Sequence, residues 1–154
     1  MTAPSLLDNW NSLSGEPVVN LAEVVWRYSR AGLNITVGTD SKTYGSLTTM
    51  VTALCFREVE ARNGVIVFYK RDIVPRFSGL RDQLYEETMR SIALAGEVTR
   101  LTGSPPNIHV DINPKQDYKS NRYHDEIMGV VMGCNYNPSS KPDAWAADIA
   151  DMFT

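Results

Sequence analysis

The sequence predicts an α/β fold built on a mixed five-stranded sheet, with three antiparallel strands first, then parallel strands, and helices flanking the sheet. Three observations carry that expectation. β-Branched segments at 34–40, 47–59 and 65–73 follow one another with only turn signals between them. Apolar residues then recur every three or four positions from Leu80 to Leu101, the period of a long helix. After it, short apolar segments alternate with helical ones to the end, the pattern of strands joined by crossover helices.

Taken in order, residues 1–19 carry Pro, Ser, Asn and Gly without periodicity and read as an irregular arm, leaving 20–154 as a single domain. Leu21, Val24, Val25 and Tyr28 have helical spacing, with Asn20 as a cap and an end near Gly32. Residues 34–40 (NITVGTD) read as a strand ending in a polar corner at Asp40 and Ser41. Gly45 supplies a turn into the second strand, 47–59, and Asn63-Gly64 is a hairpin signal before the third, 65–73. The long helix at 80–101 stops at Gly103 and the Pro105-Pro106 pair. Residues 107–112 (NIHVDI) form a fourth strand, 120–128 a helix, 129–136 a fifth strand and 143–153 a closing helix after Lys141-Pro142.

Composition excludes more than it assigns. An apolar share of 43% and a charged share of 21% suit a globular chain, and no apolar run is long enough for a membrane span or secretory signal. Cys55 and Cys134 sit in apolar, strand-like segments and form no disulfide framework, so an intracellular, cytoplasmic location is expected. A net charge of −3 argues against a protein that coats nucleic acid through bulk positive potential. It leaves room for an enzyme that gathers carboxylates around cations.

The order of elements is the RNase H arrangement, in which the first and fourth strands are neighbours. Asp40 and Asp111 end those two strands, so parallel pairing would bring their carboxylates to about 5 Å, one strand spacing. Anions so close raise each other's pKa unless cations neutralise them, and hard oxygen donors suit Mg²⁺ or Mn²⁺. On the long helix Glu87 shares a side with Leu80, Leu84 and Ser91, whereas Glu86 is rotated by roughly 100° toward solvent. The closing helix offers Asp143, Asp148 and Asp151 as a fourth ligand, and spacing does not choose among them.

The runs GTDSKTYGS (38–46), LRDQLYEETMRSIALA (80–95), HVDINP (109–114) and KPDAWAADIAD (141–151) together resemble the YkuK-type family of RNase-H-like proteins, a group of predicted nucleases. The resemblance covers most of the chain from about residue 34. It implies Asp40, Glu87 and Asp111 as metal ligands and catalytic carboxylates. Ala150-Asp151 resembles the family's closing pair, while a RuvC-like reading favours Asp143. The implied chemistry is two-metal hydrolysis of a phosphodiester with Mg²⁺ or Mn²⁺. The implied partner is a structured nucleic acid, an RNA:DNA hybrid or branched DNA, and a branched substrate would call for a homodimer with two sites. Ser41, Lys42, Asn113 and Lys141 neighbour the ligands as candidate substrate contacts.

Other signals weigh less. His109 lies two residues before Asp111 on the same strand face, and a strand histidine satisfied by a backbone group is its simpler reading. His124 is read as a surface histidine, with a proton-shuttling role as the alternative. Lys70, Arg71, Arg76 and Arg81 flank Phe68, Tyr69 and Phe77, a composition that suits a phosphate grip or a charge-protected edge strand. Trp10, Trp26 and Trp145 are expected as core or interface anchors. Two other classes share this fold: actin-like ATPases, which need two copies of it, and non-catalytic binding modules.

Overall fold

The computed structural model describes residues 5–58, 64–112 and 119–154. Asn63 and Asn113, both singled out in the sequence, lie outside them. The described elements are β1 (Asn11–Ser12), α1 (Leu21–Arg30), β2 (Asn34–Tyr44), β3 (Leu47–Arg57), β4 (Val65–Pro75), α2 (Leu80–Thr102), β5 (Asn107–Val110), a 3-10 turn (Lys119–Tyr123), α3 (His124–Gly133), β6 (Asn137–Ser139) and α4 (Trp145–Asp151). The sheet is mixed, in the order β1-β4-β3-β2-β5-β6. β2, β3 and β4 pair antiparallel over eleven residues each, and β5 and β6 join parallel to β2. The expected adjacency of the first and fourth strands is therefore present, between β2 and β5.

Local signals explain most boundaries. The Asn20 side-chain oxygen accepts the Glu23 N–H at 3.2 Å and caps α1. Gly103, at φ 76°, closes α2 in the left-handed conformation that glycine adopts without a Cβ clash. From Met50 to Phe56 β3 is covered on both faces, which is why that part of its sequence is almost continuously apolar. Leu54 and Phe56 pack with α1 and α2, while Val51, Ala53 and Cys55 pack with α4. A third apolar cluster, including Ile108, Val110, Ile127 and Val131, seals β5 against α2 and α3.

The sheet has six strands where the sequence suggested five. The sixth comes from the N-terminal arm, where Asn11 and Ser12 pair with Tyr69 and Phe68 on β4 and Trp10 is buried beside them. A two-residue strand leaves no periodicity to read. The expected strand at 129–136 is instead the second half of α3, 129–133, and the turn that follows it. Ile127 and Val131, four apart, face the core together, and a short apolar run does not distinguish strand from helix. The last strand of the sheet is β6, which begins at Asn137, directly after this stretch. Cys134 accordingly lies exposed at the end of α3 rather than in a strand. Asp143, expected in the first turn of the closing helix, stands ahead of it, because α4 begins at Trp145. Trp26 is half-exposed on α1 with Arg30 over its ring, so it anchors nothing in the core.

One close approach positions the last helix. A Cβ built on Gly38 would lie 2.6 Å from the Ala147 backbone nitrogen and 2.7 Å from the Ala146 carbonyl carbon. Only a glycine on β2 lets the α4 backbone sit this low on the sheet. Gly38→Ala is expected to push α4 off the sheet and lower stability by about 1–3 kcal/mol, the usual cost of overpacking, measured by urea unfolding.

Candidate metal centre

β2 and β5 run side by side only as far as Thr39 and Val110. There β5 ends, while β2 continues along β3 to Tyr44. The next residue of each strand is an aspartate, so Asp40 and Asp111 stand where the two parallel strands part. Such a corner at the carboxyl ends of parallel strands is where open α/β sheets commonly hold ligands. α2 supplies the third group, because Leu84, Glu87, Thr88 and Ser91 form its buried stripe. Asp40, Glu87 and Asp111 each place a carboxylate oxygen so that all three lie within 4.8 Å of one another.

Glu87 is held from one side only. Its Oε2 accepts a 2.5 Å hydrogen bond from Ser41 Oγ, which in turn accepts one from Gln83 Nε2 at 2.7 Å. Its Oε1 is buried with no hydrogen-bond partner among the described residues. A buried carboxylate oxygen left unpaired is costly, and a bound cation removes that cost. The expected substrate contact Ser41 thus has its hydroxyl committed to orienting Glu87. Gln83 was not singled out in the sequence, although its position one turn before Glu87 was a usable signal.

The electrostatics reflect the crowding. Burial, reinforced by hydrogen bonding to Asp111 and by the charges of Asp111 and Glu87, pushes the Asp40 carboxyl up to about 10. Burial likewise raises Glu87 well above the ordinary carboxylate range, against the opposing bond from Ser41. Lys141 Nζ lies 2.5 Å from Asp111 Oδ1. Burial alone would lower the Lys141 pKa, but its bond to Asp111 and the neighbouring carboxylates outweigh burial and raise it. The donor set fits Mg²⁺ or Mn²⁺: hard oxygens, an excess of negative charge and one oxygen with nothing else to bind.

The three acidic residues near the closing helix are not equivalent. Asp151 is near enough to Asp40 to add the smallest of the influences that raise its pKa, and Lys42 Nζ lies 3.9 Å from the Asp151 Oδ1. Asp148 acts electrostatically on Lys141, whereas Asp143 acts on His109. His109 is satisfied by backbone, as its strand position suggested. Its Nδ1 accepts the Ala146 N–H at 3.0 Å, and its ring meets Trp145 edge-on. Burial, with the opposing charge of Asp143, leaves its pKa lowered to about 4, so the neutral ring caps α4 near neutral pH.

The basic stretch does not form one cluster. Arg71 Nε donates to the Phe153 carbonyl, Arg76 binds the Gly45 carbonyl, and Arg81 pairs with Glu126 across α2 and α3. Glu86 bonds to Arg90 rather than standing free. His124 contacts Asp125 and Ser140.

Residues 17–154 match the family described as Ribonuclease H-like. The chain belongs to this family. No curated protein and no solved structure matches it significantly. The match in the Ribonuclease H-like family spans every element that builds the acidic corner, from β2 to α4. Among the described residues, no helix is long and apolar enough to cross a membrane.

Two outcomes are expected. Asp40 binds a proton in the folded state up to about pH 10 but releases it near pH 4 when unfolded. Stability without metal is therefore greatest below about pH 4 from this group and is lost as pH rises toward 10. Thermal melts in EDTA should show that decline, and Asp40→Asn should flatten it and raise the melting temperature near pH 8. Ser41→Ala should weaken Mn²⁺ binding about 10–100-fold by calorimetry, since it frees the orientation of Glu87.

Proposed function

We propose that this chain is a divalent-cation-dependent nuclease that hydrolyses phosphodiester bonds in structured nucleic acid. The observation that carries the reading is the buried trio of Asp40, Glu87 and Asp111, with an unpartnered Glu87 oxygen turned into it. Membership of the Ribonuclease H-like family supports the same reading.

In this proposal Asp40, Glu87 and Asp111 hold Mg²⁺ or Mn²⁺, probed as two ions, and Asp151 extends the set from α4. When bound, these cations neutralise the phosphate and lower the pKa of an attacking water. The protein's own groups fix position. Ser41 and Gln83 set the Glu87 rotamer, and His109 and Gly38 hold α4 so that Asp151 stays beside Asp40. Lys141 is paired with Asp111 and is placed to move onto a substrate phosphate once cations take up the carboxylate charge. Lys42, only loosely paired with Asp151, is the second cation at the rim. Asp143 and Asp148 are left outside the ligand set.

The test is cleavage of a labelled panel of RNA:DNA hybrid, duplex, single strand and four-way junction in Mn²⁺ or Mg²⁺. Metal-dependent cleavage that falls to background in Asp40→Asn is expected. Binding without turnover in both proteins would make the chain a recognition module instead.

A further inference from the structure

Beyond the acidic corner, the β2–β3–β4 end of the sheet is covered on one face only. Thr48 and Met50 are buried on the α2 side. On the α4 side the cover consists of α4, which ends at Asp151 beside Lys42, and of Phe153, which stacks on Tyr69 and accepts a hydrogen bond from Arg71 through its carbonyl. Past that point Tyr44 is 61% exposed, Leu47 50% and Ile73 63%. These residues share a face by register: Asp40 opposes Val51, which opposes Arg71; Lys42 opposes Thr49, which opposes Ile73; Tyr44 opposes Leu47. The bare patch is thus continuous with Asp40 and carries two exposed cations, Lys42 and Arg71. Its tip is fixed, because the Arg76 N–H donates to the Ser46 carbonyl at 2.9 Å and Arg76 Nη1 to the Gly45 carbonyl at 3.2 Å.

We propose that this face is a stacking platform for an unpaired stretch of the nucleic-acid strand, with Tyr44 taking a base. The proposal rests on the nuclease reading and adds a substrate class to it: a strand with unpaired bases flanking the scissile phosphate. An exposed aromatic ring with cations on the side toward the acidic corner is chemistry that holds single strands, because every base offers a π-face and every linkage a charge. Tyr44 lies four residues from Asp40 along one strand, about 13 Å at the usual rise of 3.3 Å per residue. That is about four nucleotides of a stacked strand at 3.4 Å each. A second copy of the chain fits less well. Three partly exposed apolar side chains fall far short of the roughly 800 Å² per partner of a stable interface, and a dimer there would cover the rim of the acidic corner.

The experiment is fluorescence anisotropy in Ca²⁺ with a labelled single-stranded oligonucleotide and the same sequence as a blunt duplex. It compares the wild type with Tyr44→Ala and Tyr44→Phe, alongside cleavage in Mn²⁺, Mn²⁺ calorimetry and sedimentation. The expected result is tighter binding of the single strand, weakened about tenfold in Tyr44→Ala, the scale of one lost base stack, and restored in Tyr44→Phe. Mn²⁺ affinity should stay unchanged. Equal binding by the wild type and Tyr44→Ala, or no single-strand binding at all, overturns the platform. So does a wild-type dimer that Tyr44→Ala converts to monomer. Tyr44-dependent binding without metal-dependent cleavage sinks the nuclease reading and keeps the platform. Cleavage lost in Asp40→Asn but indifferent to Tyr44 does the reverse.

Discussion

Three carboxylates forced together out of water set the terms for the rest of this structure. Asp40 and Glu87 are 7% and 5% exposed, yet they share a corner with Asp111. Like charges at that separation repel strongly where solvent screening is weak. Without a cation Asp40 and Glu87 keep protons that ordinary carboxylates have lost by neutral pH, and Lys141 pairs with Asp111. A fold that maximised stability alone would not gather these groups. Their gathering in a well-packed corner gives the fold a place able to take up a cation.

The architecture answers that demand with one shared strand. β2 is paired antiparallel to β3 along its length and parallel to β5 over only part of it. The departure of β5 at Val110 opens the sheet beside Asp40 while β3 keeps β2 straight. α2 crosses this opening with Glu87, and α4 closes over the opposite face. The two helices are seated by different means. α2 brings a full apolar stripe, whereas α4 has seven residues and depends on small alanines, the absent side chain of Gly38 and the His109 bond to its first turn. Because α4 carries Asp151, the packing of a short helix governs the edge of the site.

The same asymmetry shapes what lies outside the corner. Helix cover ends at Asp151, but the antiparallel strands run on. The acidic corner therefore opens onto a sheet surface that carries the exposed side chains of Lys42, Tyr44, Leu47 and Ile73. The site and the surface beside it follow from one fact, that β2 is much longer than β5 and α4.

The sequence by itself determined the mixed sheet, the long helix and the neighbouring first and fourth strands, and it singled out Asp40, Glu87 and Asp111, which the fold brings together. Each rests on a pattern written locally: β-branched runs, a three-to-four residue period, or an aspartate at a strand end. It did not determine the two-residue β1, the helical state of 129–133 or the start of α4. Segments that short have no period of their own, and their state is set by what they pack against. Only the tertiary structure decided that Ser41 and Gln83 serve Glu87, that Asp151 rather than Asp143 approaches Asp40, and that His109 seats a helix. Those relations join residues tens of positions apart, and distances across a fold are fixed by packing rather than by order along the chain.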